Sequence, residues 1–191
     1  MMLVLTLLCR DEADILESML RFHLAQGVDR IIATDNGSVD GSLEILQRFE
    51  RRGQLTLLQE AEQTHDQAVW VTRMARMAAA MGADWVINSD ADEFWWPQQG
   101  NLNSTLAQLP ESVEGLLVER TNFLPPPRDG QDQRPFYQHQ TLRERVSRNS
   151  LGKPLPPKLI HRGDPEIVVT DGNHNALRHG RAIRSIRDAG I

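Results

Sequence analysis

The sequence predicts a single α/β domain across residues 1–191, built on a mainly parallel, mixed sheet with helices on both faces. Three observations carry that expectation. Apolar, strand-like runs alternate with amphipathic helical stretches through the first hundred residues. Gly27, Gly53 and Gly82 stand just past the ends of three such helical stretches, where a left-handed residue closes a helix. Two acidic motifs, at Asp35 and Asp90, follow predicted strands directly, and open α/β sheets bind ligands beyond the carboxyl ends of their strands.

The elements follow in order. Met2–Leu8 reads as a buried strand. Asp11–Gln26 reads as a helix with Asp11, Glu12 and Asp14 at its positive end and Ile15, Leu16, Met19, Leu20 and Leu24 on its apolar face. Arg30–Thr34 is a second strand, Ser42–Arg51 a second helix, Gln54–Leu58 a third strand. Asp66–Met81 is a long helix, and Asp84–Ser89 a fourth strand. The second half is less regular. Asn101–Leu109 reads as a short helix, and Gly115–Arg120 and Pro165–Thr170 as strands. Phe123–Pro135, with three consecutive prolines and Asp129-Gly130 at its tip, reads as a flap over a site, and Gly152–Pro157 as a connector. Arg178, Arg181, Arg184 and Arg187, spaced three apart, read as a solvated basic stripe on a helix. Residues 1–100 thus form a regular first half and residues 101–191 a less regular second half.

Composition narrows the function. The chain has 191 residues, enough for one sizeable core. Its net charge of -5 supplies no basic field for nucleic acid. One cysteine, Cys9, excludes an internal disulfide framework, fits a reducing compartment and reads as a packed thiol. The apolar start lacks a basic leader and a cleavage site, and no stretch is long enough to span a bilayer. The expectation is a cytoplasmic protein, with docking on the inner face of a membrane left open.

The most informative segment is Asp84–Pro97. A short apolar strand ends in Asp90-Ala91-Asp92-Glu93-Phe94. Strand periodicity puts Asp90 and Asp92 on one side. Two hard oxygen donors there suit a divalent cation that completes its shell with water and a diphosphate. Alternatively, a basic partner or solvent offsets the two carboxylates. The second motif is Asp35-Asn36-Gly37-Ser38-Val39-Asp40-Gly41, between the second strand and second helix. Ser38 or Asp40 can cap that helix. Asp35 and Asn36 at the strand end can instead read the polar edge of a base.

In this order, the early strand with Arg10-Asp11-Glu12, the Asp35–Gly41 motif and Asp90-Ala91-Asp92-Glu93-Phe94 resemble inverting family 2 glycosyltransferases of the GT-A fold, in the bacterial branch with Asp-X-Asp-Glu-Phe. The resemblance covers the first hundred residues well and the rest loosely. It implies a nucleotide-sugar donor (a UDP-sugar by default), Mn²⁺ or Mg²⁺, a glycan or lipid-linked acceptor, and a role in bacterial surface polysaccharide or glycan synthesis. By resemblance Arg10 and Glu12 border the nucleotide, Asp35 and Asn36 contact the base, Asp66 lies beneath the donor, and Asp90 and Asp92 hold ribose and metal. Asp66 also reads as a plain helix cap. Trp95 and Trp96 either stack on an acceptor sugar or pack.

Inversion needs a carboxylate to take the acceptor proton. The candidates are Asp171, in the polar turn Thr170–His174, Glu119 and Glu93. His161 and His174 are candidates for a further metal ligand or a diphosphate contact, and Lys158 and Arg162 for offsetting diphosphate charge. The ending at Ile191 reads as a compact catalytic core, with truncation an open alternative. Two other classes remain: an aspartate-nucleophile phosphohydrolase, disfavoured because the motif follows the fourth strand, and an inactive nucleotide- or glycan-binding domain of the same fold.

Overall fold

The structure is a computed structural model that describes residues 1–60, 66–124, 134–187 and 190–191. The chain runs β1 (Leu3–Cys9), α1 (Leu16–Ala25), β2 (Arg30–Asp35), α2 (Ser42–Arg51), β3 (Leu55–Gln59), α3 (Gln67–Ala80) and β4 (Trp85–Ser89). It continues with α4 (Leu102–Ala107), β5 (Gly115–Val118), β6 (Phe123–Leu124), α5 (Phe136–His139), β7 (Leu142–Arg143), β8 (Lys158–Arg162) and β9 (Ile167–Val169). A 3₁₀ turn at Asp171–Asn173 then leads to β10 (Ala176–Arg178), β11 (Arg181–Ala182) and β12 (Ser185–Arg187). Seven strands form the main sheet in the order β12-β5-β8-β4-β1-β2-β3. All its pairings are parallel except those of β8, which runs against both β4 and β5.

Alternation along the strands builds two cores. Leu3, Leu5 and Leu7 of β1 pack with Ile31 and Ala33 of β2 and Trp85 and Ile87 of β4 beneath α1, α2 and α4. Val4, Ile32, Val86 and Leu159 face the other way, onto Val71, Met74, Ala75 and Ala78 of α3 and onto Ile167, Val169 and Ala176. The predicted fold class is therefore the observed one.

The chain passes from β1 to β2 and β3 on one side, then crosses back through α3 to place β4 on the other side of β1. In such sheets a reversal of this kind marks the usual ligand crevice, here at the carboxyl end of β1. Asp35 pairs in register with Cys9, and Leu7 with Ser89, so the segments after β1, β2 and β4 meet there.

Three expectations change. The first helix begins at Leu16 rather than Asp11, because Asp11 adopts φ 56°, outside helical space. Lys158–Arg162 is a central strand. The basic stripe is extended rather than helical: Arg178 bonds Glu114 and Asp164, Arg184 bonds Glu114, and Arg187 bonds Glu119. Most of the predicted flap, residues 125–133, lies outside the described residues, as does His65.

Candidate active site

The loops after β1 and β2 are stitched to each other. Asn36 N–H donates to Cys9 O at 3.0 Å, Asp11 N–H to Ser38 Oγ at 3.0 Å, and Val39 N–H to Asp11 Oδ1 at 2.8 Å. Glu12 N–H donates to Ser42 Oγ at 2.8 Å, and Ala13 N–H to Asp40 Oδ2 at 2.8 Å. Ser42 in turn donates its N–H and hydroxyl to Asp40 Oδ1 at 3.0 and 2.7 Å. The polar residues of the Asp35–Gly41 motif thus satisfy backbone donors across two loops. Gly41, at φ 103°, makes the left-handed turn into α2.

Asp35 lies at the centre of this arrangement and is only 2% exposed. Its Oδ2 accepts the N–H groups of Gly37 and Ser38, each at 3.2 Å. Its Oδ1 is buried without a hydrogen-bond partner among the described residues. A buried carboxylate oxygen left unsatisfied is costly unless a ligand donates to it. Asn36 is anchored instead, its Nδ2 donating to Glu60 O at 3.3 Å. Arg10 is exposed and 3.6 Å from Asp11. Glu12 is half-buried, and burial, then the charges of Asp92, Asp14, Asp40 and Asp90, hold its carboxyl above the usual range.

On the other side of β1, the end of β4 carries an ion cluster. Lys158, the first residue of β8, is buried, and its Nζ donates to Asp90 Oδ2 at 2.7 Å and lies 3.0 Å from Glu93 Oε1. Asp90 Oδ1 accepts from Asn173 Nδ2 at 3.3 Å, and Asp90 N–H donates to Glu93 Oε2 at 3.2 Å. Arg120 comes within 3.9 Å of Glu93. Burial raises the Glu93 carboxyl above its ordinary range, against the pull of Lys158.

The 3₁₀ turn seats against this cluster. His174 Nδ1 is 2.8 Å from Pro157 O, an acceptor, so the ring carries its proton there. Burial, with Lys158 and Arg120 nearby, lowers its basicity and favours the neutral ring. Gln67 Oε1 accepts Gly172 N–H at 3.4 Å, tying the start of α3 to the same turn. Asp66, beside Gln67, is exposed and makes no side-chain cap bond.

Several candidates fall elsewhere. Asp35 and Asp90 share the crevice, but β1 separates their strands, so they are not on adjacent strands as the rhythm alone suggests. His161 is fully buried opposite Val86 and Gly115, three residues inside β4 from Ser89, and burial lowers it to about 4. It is not at the carboxylate cluster, which corrects its reading as a metal ligand. Arg162 lies at the far end of β8, 3.9 Å over the Trp85 ring and bonded to the carbonyls of Leu109, Pro110 and Val113. It therefore supports packing rather than a diphosphate. Glu119 is exposed and paired with Arg187 of the edge strand. Asp171 is exposed at the head of the turn whose Asn173 reaches Asp90. Trp95 is buried, its indole N–H bonded to Ser89 Oγ at 3.0 Å, so it packs rather than stacks on a sugar. Trp96 is 60% exposed and stacked on Phe22.

The sequence reading did not pick out His23, Asn173 or Arg120. Burial lowers His23 to about 4. Its Nδ1 is 2.9 Å from Met19 O, and its Nε2 accepts Trp95 N–H at 3.2 Å, which holds the segment after Glu93 onto α1. The polar run Asp171-Gly172-Asn173-His174 carried a signal for Asn173. Nothing local distinguished His23. Cys9 is buried and its thiol pushed up to about 12, by burial and then by Asp35, in keeping with a packed thiol.

The model of glycosyltransferase family 92 matches residues 9–181. The chain belongs to glycosyltransferase family 92. The resemblance seen in the motifs holds at the level of a glycosyltransferase; the matched family is 92 rather than 2. Among curated proteins none matches. Among solved structures, Staphylococcus aureus TarS 1–349 aligns over 100% of this chain and 59% of its own, with TM-score 0.58 and 16% identity. The same protein in complex with UDP-GlcNAc aligns over 98% of this chain and 59% of its own, with TM-score 0.53 and 15% identity. Mycobacterium tuberculosis glucosyl-3-phosphoglycerate synthase aligns over 60% of this chain and 43% of its own, with TM-score 0.44 and 18% identity. The chain thus spans about three fifths of TarS 1–349. TarS shares the GT-A fold with this family 92 chain, and the predicted fold agrees.

A divalent cation fits only part of the predicted pair. Among the described residues no three carboxylate, imidazole or thiol groups converge into a metal-binding group. Both oxygens of Asp90 are engaged, by Lys158 and Asn173. Asp92 is exposed, and no described group pairs with it. One open carboxylate suits Mg²⁺ or Mn²⁺ that takes its other ligands from water and phosphate oxygens.

Proposed function

We propose that this chain transfers a sugar from a nucleotide-sugar donor to an acceptor hydroxyl with inversion. The observation that carries the reading is Asp35. It lies buried where the strand order reverses, with one carboxylate oxygen that meets no donor among the described residues. Such an acceptor matches the ring N–H of a base such as uracil. The TarS complex with UDP-GlcNAc, on the same fold, supports a UDP-sugar as the donor to test first.

In this reading Asp35 receives the base and the stitched loops around Glu12 and Ser38 border the nucleotide. Asp92 would hold Mn²⁺ or Mg²⁺, which when bound supplies positive charge to the departing diphosphate. Asp171 is the base: it is exposed and carried by the turn that touches Asp90, whereas Glu93 is tied to Lys158 and Glu119 to Arg187. Its carboxylate takes the proton of the acceptor hydroxyl as that oxygen bonds to the anomeric carbon and the bond to the diphosphate oxygen breaks. A glycan or lipid-linked acceptor, met on the cytoplasmic side of a membrane during polysaccharide or glycan synthesis, completes the proposal.

A thermal-shift panel of UDP-, GDP- and dTDP-sugars, with and without Mn²⁺, tests it. One nucleotide class should raise the melting temperature, and more so with metal, since a ligand bound only to the folded state stabilises it. If none does, the donor assignment fails. Binding without turnover on any acceptor would favour the inactive binding domain. Asp171→Asn should abolish transfer while leaving donor affinity unchanged; retained turnover would move the base elsewhere.

A further inference from the structure

The ion cluster at the end of β4 has a consequence for the Asp-X-Asp motif. Lys158 is buried, and its ammonium sits between Asp90, at 2.7 Å, and Glu93, at 3.0 Å. The remaining Asp90 oxygen accepts from Asn173, which is itself buried. Asp92, two residues on, is exposed and paired with no described group. The two aspartates of one short motif thus have opposite environments.

We propose that Lys158 is a built-in cation that fixes Asp90 and Glu93 in one cluster and keeps Asp90 out of any divalent-cation shell, leaving the metal to Asp92. An ammonium and a metal ion compete for the same carboxylate oxygens, and a hard cation gains affinity with each anionic ligand it can reach. With Lys158 in place, Asp90 offers no free oxygen. Lys158 is then a positioning residue: it sets which aspartate the metal sees and the orientation Asp90 presents at the crevice. The inference rests on the glycosyltransferase reading for its purpose, but the cation competition can be measured without donor or acceptor.

The test uses Mn²⁺ alone, titrated calorimetrically into the full chain. Removing Lys158 by itself leaves the mostly buried Glu93 and the half-exposed Asp90 without their shared cation and threatens folding. The double variant Lys158→Met/Glu93→Gln removes one charge of each sign, so the cluster keeps its net charge while Asp90 is released. It should bind Mn²⁺ roughly tenfold more tightly than the wild type, because two aspartates then share the ion. Adding Asp90→Asn to that background should remove the gain. In the wild-type background Asp92→Asn should weaken Mn²⁺ binding, while Asp90→Asn should not. A folded double variant with wild-type Mn²⁺ affinity would overturn the inference, as would equal losses from Asp90→Asn and Asp92→Asn in the wild type. A repeat with UDP separates the two readings. If UDP has no effect on Mn²⁺ affinity, the donor reading fails while the role of Lys158 stands on the metal-only arms.

Discussion

At the scale of residues, the crevice is defined by what each carboxylate touches. Asp35 uses one oxygen to hold the turn at Gly37 and Ser38, and its other oxygen is buried with no partner among the described residues. Asp35→Asn keeps an acceptor for the turn but puts an N–H₂ where that other oxygen stood. Isothermal titration with UDP should therefore show affinity reduced roughly 10- to 100-fold, the equivalent of one charged hydrogen bond, with the melting temperature of the free protein little changed. Glu93 differs because burial raises its carboxyl above the ordinary range. Its ionised form is disfavoured in the folded state, so its contribution is most favourable below about pH 4 and is lost as pH rises through the raised value. Relative to Glu93→Gln, the wild type should lose stability as pH rises above about 4. Urea midpoints of the two proteins across that range check this; a constant difference would contradict it.

Among elements, β8 decides the most. It enters between β4 and β5 against the direction of both, so its first residue, Lys158, lies level with the end of β5 and reaches Asp90. Its other end is set by a close approach. A Cβ at Gly163 would stand 1.9 Å from Ala83 O, a backbone atom that cannot rotate away. Gly163→Ala should destabilise the fold by roughly 1–3 kcal/mol through overpacking, read as a lower urea midpoint with unchanged slope. The loops after β1 and β2 are a second case. Ser42 is buried and accepts the Glu12 N–H while donating to Asp40, so it joins the two loops. Ser42→Ala leaves that amide unsatisfied, costing about 1–3 kcal/mol. Donor affinity should fall with stability, and a loss of stability alone would separate the loops from the site.

For the molecule as a whole, two histidines make stability depend on acid. His23 beneath the β4 loop and His161 inside β8 are both fully buried and both lowered to about 4. The unfolded chain binds a proton at each near pH 6.5, while the folded chain resists until about pH 4. Their contribution is therefore present above pH 6.5 and is lost as pH falls towards 4, by about 1.4 kcal/mol per pH unit for each group at the steepest. Urea midpoints should fall across that window. His161→Leu, which keeps an apolar filler in the sheet, should reduce the slope by the share His161 contributes. An unchanged slope would show that His161 titrates alike in both states.

The sequence by itself determined the α/β class, seven of the early elements to within a few residues, and the placement of Asp35 and Asp90 at strand ends. Those signals are local: the period of apolar positions, glycines past helix ends and acidic residues after strands. Tertiary structure decided which side chains meet. Lys158 lies 68 residues from Asp90, and Asn173 lies 83 away. Their meeting depends on an antiparallel insertion that nothing in Lys158–Arg162 announces. The arginines at 178, 181, 184 and 187 have helical spacing, yet Arg178, Arg181 and Arg187 lie in strands, and Arg178, Arg184 and Arg187 pair with Glu114, Asp164 or Glu119. His161 and His174 look alike as sequence, but one is sealed in the sheet and the other sits on the turn beside Lys158. The physical reason is common to all of these. Helix and turn preferences act between near neighbours, whereas strand order, burial and ion pairing are settled by surfaces that meet only after the chain has folded.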